Sequence, residues 1–438
     1  MLTRMLSGRA RRNRQAVITG TTAQEAGVPF VRTAYTWLAY LLLGYFAYLQ
    51  AILGPVMPFL RAELRLNYVE GSAHVSALAL GTMGAGLVGD RLARRWGRGV
   101  VLWGGAAGVA VGAAGLAVGR SAVVTVSAAL VIGGLGTLLM VMVQATLADQ
   151  YGDRRAIALV ESNVIASACA GLAPLLVGAF AGTAIGWRGA LVADIAVLGA
   201  LALAGRHIAV PAETRASGVV EQTRGASSGT GAQRPALPGV FWAYWALTVL
   251  VVAAEWCVIV WSADYLHSVG GLSRGGAATA VSAFFIAEVT GRFVGSRLAR
   301  WVSTPRLLAL SLLLTLAGFP LFWLGPVIPV RIAGLFIAGL GIANLYPLTL
   351  AAATGVAAAQ TDRASARITL AVGAAIFSAP LLLGWMADTL GLERAYAIVP
   401  VLVILAGATL IGAWARAAPR AGGGGDGDGA VARSRNAR

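Results

Sequence analysis

The chain has 438 residues, of which 58% are hydrophobic and only 12% charged, against roughly 45–50% and about 25% in soluble domains. So few charges could not cover a water-soluble fold of this length, and two cysteines, Cys169 and Cys257, both inside apolar runs, exclude a disulfide-built secreted scaffold. The formal net charge of +16 comes from 34 basic residues, every one an arginine, against 18 acidic ones; the balance alone would suit a nucleic-acid binder, but where the arginines sit argues for a lipid bilayer and no nucleic acid.

An arginine-bearing segment, 1–32, comes first and lacks the short apolar core and cleavage site of a removable signal. Apolar runs long enough to cross a bilayer follow at 33–57, 70–89, 99–119, 122–147, 157–182 and 187–205. Residues 206–238 form a polar linker rich in Gly, Ser, Thr, Gln and Pro, with low complexity from Gly225 to Gly231. Six further runs occupy 240–264, 276–296, 304–324, 327–352, 366–387 and 395–415. The tail, 417–438, carries the run Gly422–Gly425 and reads as disordered and cytoplasmic. Only helices suit spans of this length, because in lipid each segment must satisfy its own backbone groups. The expectation is an all-α integral membrane protein with a six-helix half over 33–205 and another over 239–416.

With the N-terminus inside, 26 arginines fall in inside segments, 7 in outside loops, and Arg292 lies within a span. That asymmetry predicts an even helix count with both termini in the cytoplasm.

The two halves repeat one another. Val88-Gly89-Asp90-Arg91-Leu92-Ala93-Arg94 matches Val294-Gly295-Ser296-Arg297-Leu298-Ala299-Arg300 at an offset of 206. Gly134-Leu135-Gly136 matches Gly339-Leu340-Gly341, Ala173-Pro174-Leu175-Leu176 matches Ala379-Pro380-Leu381-Leu382, and Asp153-Arg154 matches Asp362-Arg363, in order and at nearly the same offset. An offset of six spans preserves orientation, so the repeats are parallel. Two parallel six-helix halves related by an axis along the membrane normal are the arrangement of the major facilitator superfamily.

Specific residues carry that resemblance. Gly86-Leu87-Val88-Gly89-Asp90-Arg91 with Arg94, Arg95, Gly97 and Arg98 resembles the superfamily's signature loop after its second helix. Gly186-Trp187-Arg188 resembles the usual entry to the sixth helix, and Gly339-Leu340-Gly341 with Asn344, Tyr346 and Pro347 is similar to the tenth helix of many bacterial members. The pattern departs at Ala93 and Ser296, in a fourth span without a central arginine, and at Ala173-Pro174 where antiporters have Gly-Pro. The resemblance implies a substrate site near the midplane and alternating access by rocking of the halves. It also implies a cytoplasmic gate in which Asp90, Arg91 and Arg94 meet charges around Asp149 and Arg154.

Charges at membrane depth are the functional candidates, because each is costly there unless paired or hydrated. Glu288 lies near mid-span as a proton-coupling candidate, or as the structural partner of Arg292 one turn on. Glu255, beside Trp256, is placed to take up a proton, to meet a cationic solute, or to face a water-filled vestibule. Glu161, a turn inside the fifth span, is a third coupling candidate or a gate residue. Asp194 reads as a helix–helix hydrogen-bonding group and Asp264 as solvated at the outer face. Gln50, Gln144, Trp256, Asn344 and Tyr346 are the substrate-binding candidates, with interhelical hydrogen bonding as the structural alternative. Pro55, Pro58, Pro174, Pro347 and Pro380 are expected to bend or interrupt helices.

His74, His207 and His267 lack metal-ligand spacing, and without lysine no phosphate-binding Gly-Lys loop exists. The expectation is therefore no enzyme, no metal and no cofactor. The leading reading is a monomeric secondary transporter in a bacterial inner membrane that moves a small organic solute, coupled to protons. Export of a drug-like compound or metabolite leads; uptake of a sugar or organic acid by proton symport is the alternative, and a non-transporting sensor or scaffold a remote one.

Overall fold

The computed structural model describes residues 30–211 and 236–417; the predictions for 1–29, for most of the linker and for the tail beyond 417 lie outside them. Among the described residues the chain is helical, with no strand. The first half contains α1 (Ala34–Leu64), α2 (Tyr68–Trp96), α3 (Arg98–Val118), α4 (Ala122–Tyr151), α5 (Arg155–Ala181) and α6 (Arg188–Gly205). The second contains α7 (Gly239–Ser268), α8 (Arg274–Leu298), α9 (Thr304–Leu324), α10 (Ile328–Ile342), α11 (Leu345–Val356), α12 (Thr361–Leu390) and α13 (Ile398–Ala417).

Local chemistry sets several ends. Asn67 caps α2 by accepting the Glu70 amide at 2.8 Å, while the Glu70 carboxylate accepts the Asn67 amide at 3.0 Å. Pro stands in the first turn of α9 and of α10, where its missing N–H costs nothing. Pro55 and Pro58 lie within α1, which runs unbroken through both.

Among the described residues eleven helical runs are long and apolar enough to cross a membrane. One of them, Ala122–Ala181, has 60 residues, or about 90 Å of helix at ~1.5 Å per residue, three times the bilayer core. It is two spans, α4 and α5, which turn at the short 3-10 segment Gly152–Arg154 and pack against each other. Gly152 takes φ +49° at this turn, a left-handed value that glycine adopts without strain. The tenth span is divided as well. α10 stops at Ile342 and α11 starts at Leu345, because Pro347 has no N–H to return to the carbonyl of Ala343.

The helix pairings repeat between the halves. α1 packs on α5 and α6, α2 on α4, and α3 on α4; in the same order α7 packs on α12 and α13, α8 on α10, and α9 on α10. This is the parallel duplication expected from the sequence offset. The halves meet along α2 with α12, α5 with α8, and α1 with α7.

Most of the hydrogen bonds that join the halves lie toward the end opposite the arginine-rich loops. Ser72 and Ser76 of α2 donate to the carbonyls of Pro380 and Phe377, each at 2.7 Å. Both acceptors lie within α12, at Pro380 and three residues before it. The Asp388 carboxylate accepts the Tyr68 and Val69 amides at 2.8 and 2.9 Å, capping α2 from the other half. Arg61 of α1 pairs with Asp264 of α7, and its guanidinium lies 3.4 Å from the Tyr68 ring centre. Between α1 and α7 a Cβ at Gly54 would collide with the Ile259 carbonyl, so the two backbones touch directly.

Asp264 thus corrects the sequence expectation of a solvated residue: it is 3% exposed and ion-paired. Its partner lies on α1, about 200 positions away, so nothing local in the sequence reveals it. Asp194 is also buried, with Oδ2 lacking a hydrogen-bond partner among the described residues.

Candidate functional site

A cavity of about 200 Å³ lies between the halves at mid-depth. α1 contributes Gln50, α5 contributes Asn163 and Ser167, α7 contributes Glu255, Trp256 and Ile259, and α8 contributes Phe285, Glu288 and Arg292. Each polar group is presented by helical spacing: Asn163 and Ser167 are four residues apart, as are Glu288 and Arg292, so each pair shares one face. The cavity is closed toward one end by the Gly54–Ile259 approach and the hydrogen bonds beyond it. Toward the arginine-rich end, Asn163 and Arg292 are exposed.

Charge is arranged unevenly. Glu288 is 7% exposed and bonded to the Arg292 guanidinium. The same guanidinium reaches across the halves, its Nη1 donating to the Ser167 hydroxyl at 2.9 Å. The Glu255 carboxyl adjoins that of Glu288. Two carboxyl groups and one guanidinium therefore share the wall, all from the second half, while the first half supplies only neutral amides and a hydroxyl. At this depth each ionised group needs a partner or water, since an isolated charge costs several kcal/mol. Two adjoining carboxyls cannot both stay ionised cheaply beside a single cation.

The structure brings together Gln50, Glu255, Trp256 and Glu288 among the residues singled out from sequence. Tyr346, half-buried in α11, lies close enough to Glu255 for the two to interact electrostatically. Asn344 stands away from the cavity and donates to the Gly291 carbonyl at 2.8 Å, tying the break after α10 to α8. Gln144 is half-buried on α4, away from the cavity wall. Glu161 sits near the arginine-rich end, accepting from Arg32 Nε at 2.9 Å and from the Tyr40 hydroxyl at 3.1 Å.

The five gate candidates are not assembled here. Asp90, Arg91 and Arg94 are exposed at the end of α2, and Arg154 is half-buried. Asp149 accepts from Arg98 Nη1 at 2.6 Å. Sequence reasoning did not single out Asn163, Ser167 and Phe285. The first two carry a readable signal, two polar residues one helical turn apart inside an apolar span; Phe285 among many buried aromatics carries none.

A family model described as Major Facilitator Superfamily matches residues 36–342. Among curated proteins the chain is similar to an uncharacterized MFS-type transporter of Yersinia pestis, 24% identical over 371 residues that cover 81% of this chain and 89% of that protein. Among solved structures it is similar to a bacterial homolog of the human lysosomal transporter Spinster in an inward-facing and occupied conformation. There the TM-score is 0.71 and the identity 15%, covering 89% of this chain and 98% of the other. A D-xylose–proton symporter superposes with a TM-score of 0.66 at 15% identity, over 86% and 96% of the two chains.

Proposed function

Because the chain belongs to the Major Facilitator Superfamily and is a membrane transporter rather than an enzyme, we propose that it moves a small organic solute across a bacterial inner membrane by alternating access, coupled to protons and in the direction of export. One observation carries the reading: Glu255, Glu288 and Arg292 adjoin one another in the wall of a cavity between the two halves. A carboxyl that gains or loses a proton there changes the charge of the interface, and so the relative stability of the two ways of closing it.

Orientation follows from the arginines. The end bearing Arg91, Arg94, Arg95, Arg98, Arg297 and Arg300 faces the cytoplasm, with both termini on that side. The cavity then opens inward, and the bonds of Asp388, Arg61, Ser72 and Ser76 form the closed outer gate. Asp90, Arg91, Arg94, Asp149 and Arg154 would assemble on the cytoplasmic side when the transporter faces outward.

A second reading, uptake of a sugar or organic acid by proton symport, draws on Gln50, Asn163 and Ser167, which suit a hydroxyl-bearing solute. The test uses purified protein in liposomes with an internal pH probe, challenged with sugars, organic acids and cationic drugs under an imposed pH gradient. Solute-dependent proton movement that disappears in Glu255→Gln or Glu288→Gln is expected, and the direction of solute flow relative to protons separates export from uptake. Solute movement indifferent to the gradient would overturn proton coupling.

A further inference from the structure

We propose that the cargo is a monovalent organic cation with a flat apolar body, and that its charge replaces the proton at Glu255. This deepens the transport reading above and rests on it. The cavity wall is one positive charge short. Arg292 is already committed, with one nitrogen on Glu288 and another on Ser167. Among the described residues no guanidinium lies within ion-pair distance of Glu255.

The groups that bear on Glu255 are few. Glu288 and Arg292 face it from α8 and Tyr346 from α11. α1 and α5 present Gln50, Asn163 and Ser167, which do not titrate. The charges of α12 described here are Arg363 and Arg367 in its first turns and Asp388 in its last, and α13 carries only Arg416 near its end. One guanidinium cannot answer both carboxyls at once, so the missing positive charge comes from water, as a proton, or from the solute.

Each class of solute meets this wall differently. An anion would meet a second carboxyl beside a guanidinium already paired with Glu288, and a neutral solute would give Glu255 no reason to release its proton. A cation gives one. Trp256, next in sequence to Glu255, and Phe285 line the same wall, with Ile259 beside them, an aromatic and apolar setting that suits an organic cation. A cavity of about 200 Å³ holds one small molecule of this kind. The balance is simple: the cation binds, the Glu255 carboxyl releases its proton to the cavity water, and no bond is made or broken otherwise. Proton and cation exclude one another, so the same site enforces exchange.

The test compares three molecules of similar ring size and different charge: 1-methyl-4-phenylpyridinium, 4-phenylpyridine above pH 7, and biphenyl-4-carboxylate. Each is titrated into the purified full-length protein in lightly buffered detergent with a pH dye. The expected result is saturable binding of the cation with about one proton released per cation, and an affinity that rises about tenfold per pH unit while Glu255 is protonated. Glu255→Gln should weaken cation binding at least tenfold and flatten the pH slope, whereas Glu255→Asp should keep both. Absence of cation binding to wild-type protein, binding without proton release, or equal binding of the neutral or anionic analogue overturns the proposal, whatever the variants do. A sugar or acid that moves with protons in liposomes while the cation fails to bind would discard the cargo class and leave the transport reading standing. Proton-releasing cation binding with no solute moved by any gradient would do the reverse.

Discussion

At Arg292 one guanidinium holds a carboxylate of its own helix and a hydroxyl of the opposite half. Removing it leaves Glu288 buried without a cation, the costly way to break an ion pair. Because the Arg292 side chain is 42% exposed, water offsets part of that loss, and Arg292→Gln is expected to cost about 1–3 kcal/mol. Thermal unfolding in detergent checks this, and Glu288→Gln combined with Arg292→Gln should recover most of the loss; a double variant as unstable as the single one would rule out the unpaired carboxylate as its source. Asn344 makes a different case. Its amide serves the Gly291 carbonyl, so Asn344→Ala should cost about 0.6–2 kcal/mol while solute affinity stays unchanged; weakened solute binding at full stability would instead make it a cargo contact. The coupling candidates were readable because Glu255 and Glu288 interrupt apolar runs, where a charge has no cheap explanation. Arg61 with Asp264, and Tyr68 with Asp388, were not readable. Their partners lie 203 and 320 positions apart, and each residue alone sits near a span end, where a charge is ordinary.

Among the elements, α2 depends on the opposite half for its start. Asn67 covers one of its orphan amides and Asp388 of α12 covers two more. A carboxylate at a helix N-terminus is worth roughly 0.3–1 kcal/mol. Asp388→Asn should therefore raise the outward-open population by about two- to fivefold, read as faster thiol labelling of Ser72→Cys from outside in a background without Cys169 and Cys257. Unchanged labelling would mean that the cap does not help hold the gate. The twelve spans were legible as elements because length and apolarity decide them. The division of the tenth was legible only through Pro347: apolarity continues through 327–352, and Pro55, Pro58, Pro174 and Pro380 carry the same signal yet leave their helices unbroken.

For the molecule as a whole, the repeated pairing of α1 with α5 and α7 with α12 makes each half a packed body of its own. The seams between them, α2 with α12 and α5 with α8, therefore determine how the halves move. If they must part at the outer seam in each cycle, a bond across it stops transport. A cysteine pair at Ser72 and Gly384, positions already in contact, should cross-link under mild oxidation, abolish solute flux in liposomes, and regain it on reduction. Flux that survives quantitative cross-linking would show that the outer seam need not open. The duplication behind this geometry was visible as a constant offset in the sequence. The state of the gates was not, because the same residues serve both closures and only packing selects between them.

The cavity's ionisable side chains hang from the second half alone, and the first half faces them with Gln50, Asn163 and Ser167. On the proposed reading, energy conversion and the recognition of charge thus reside on one repeat, and what the other adds to recognition is uncharged. Selection for a new compound of the same charge can then rewrite α1 and α5 without disturbing the carboxyls that would harness the gradient. Laboratory evolution toward an unfamiliar cation should collect its changes on those two helices and at Trp256, Ile259 and Phe285, and leave Glu255, Glu288 and Arg292 alone.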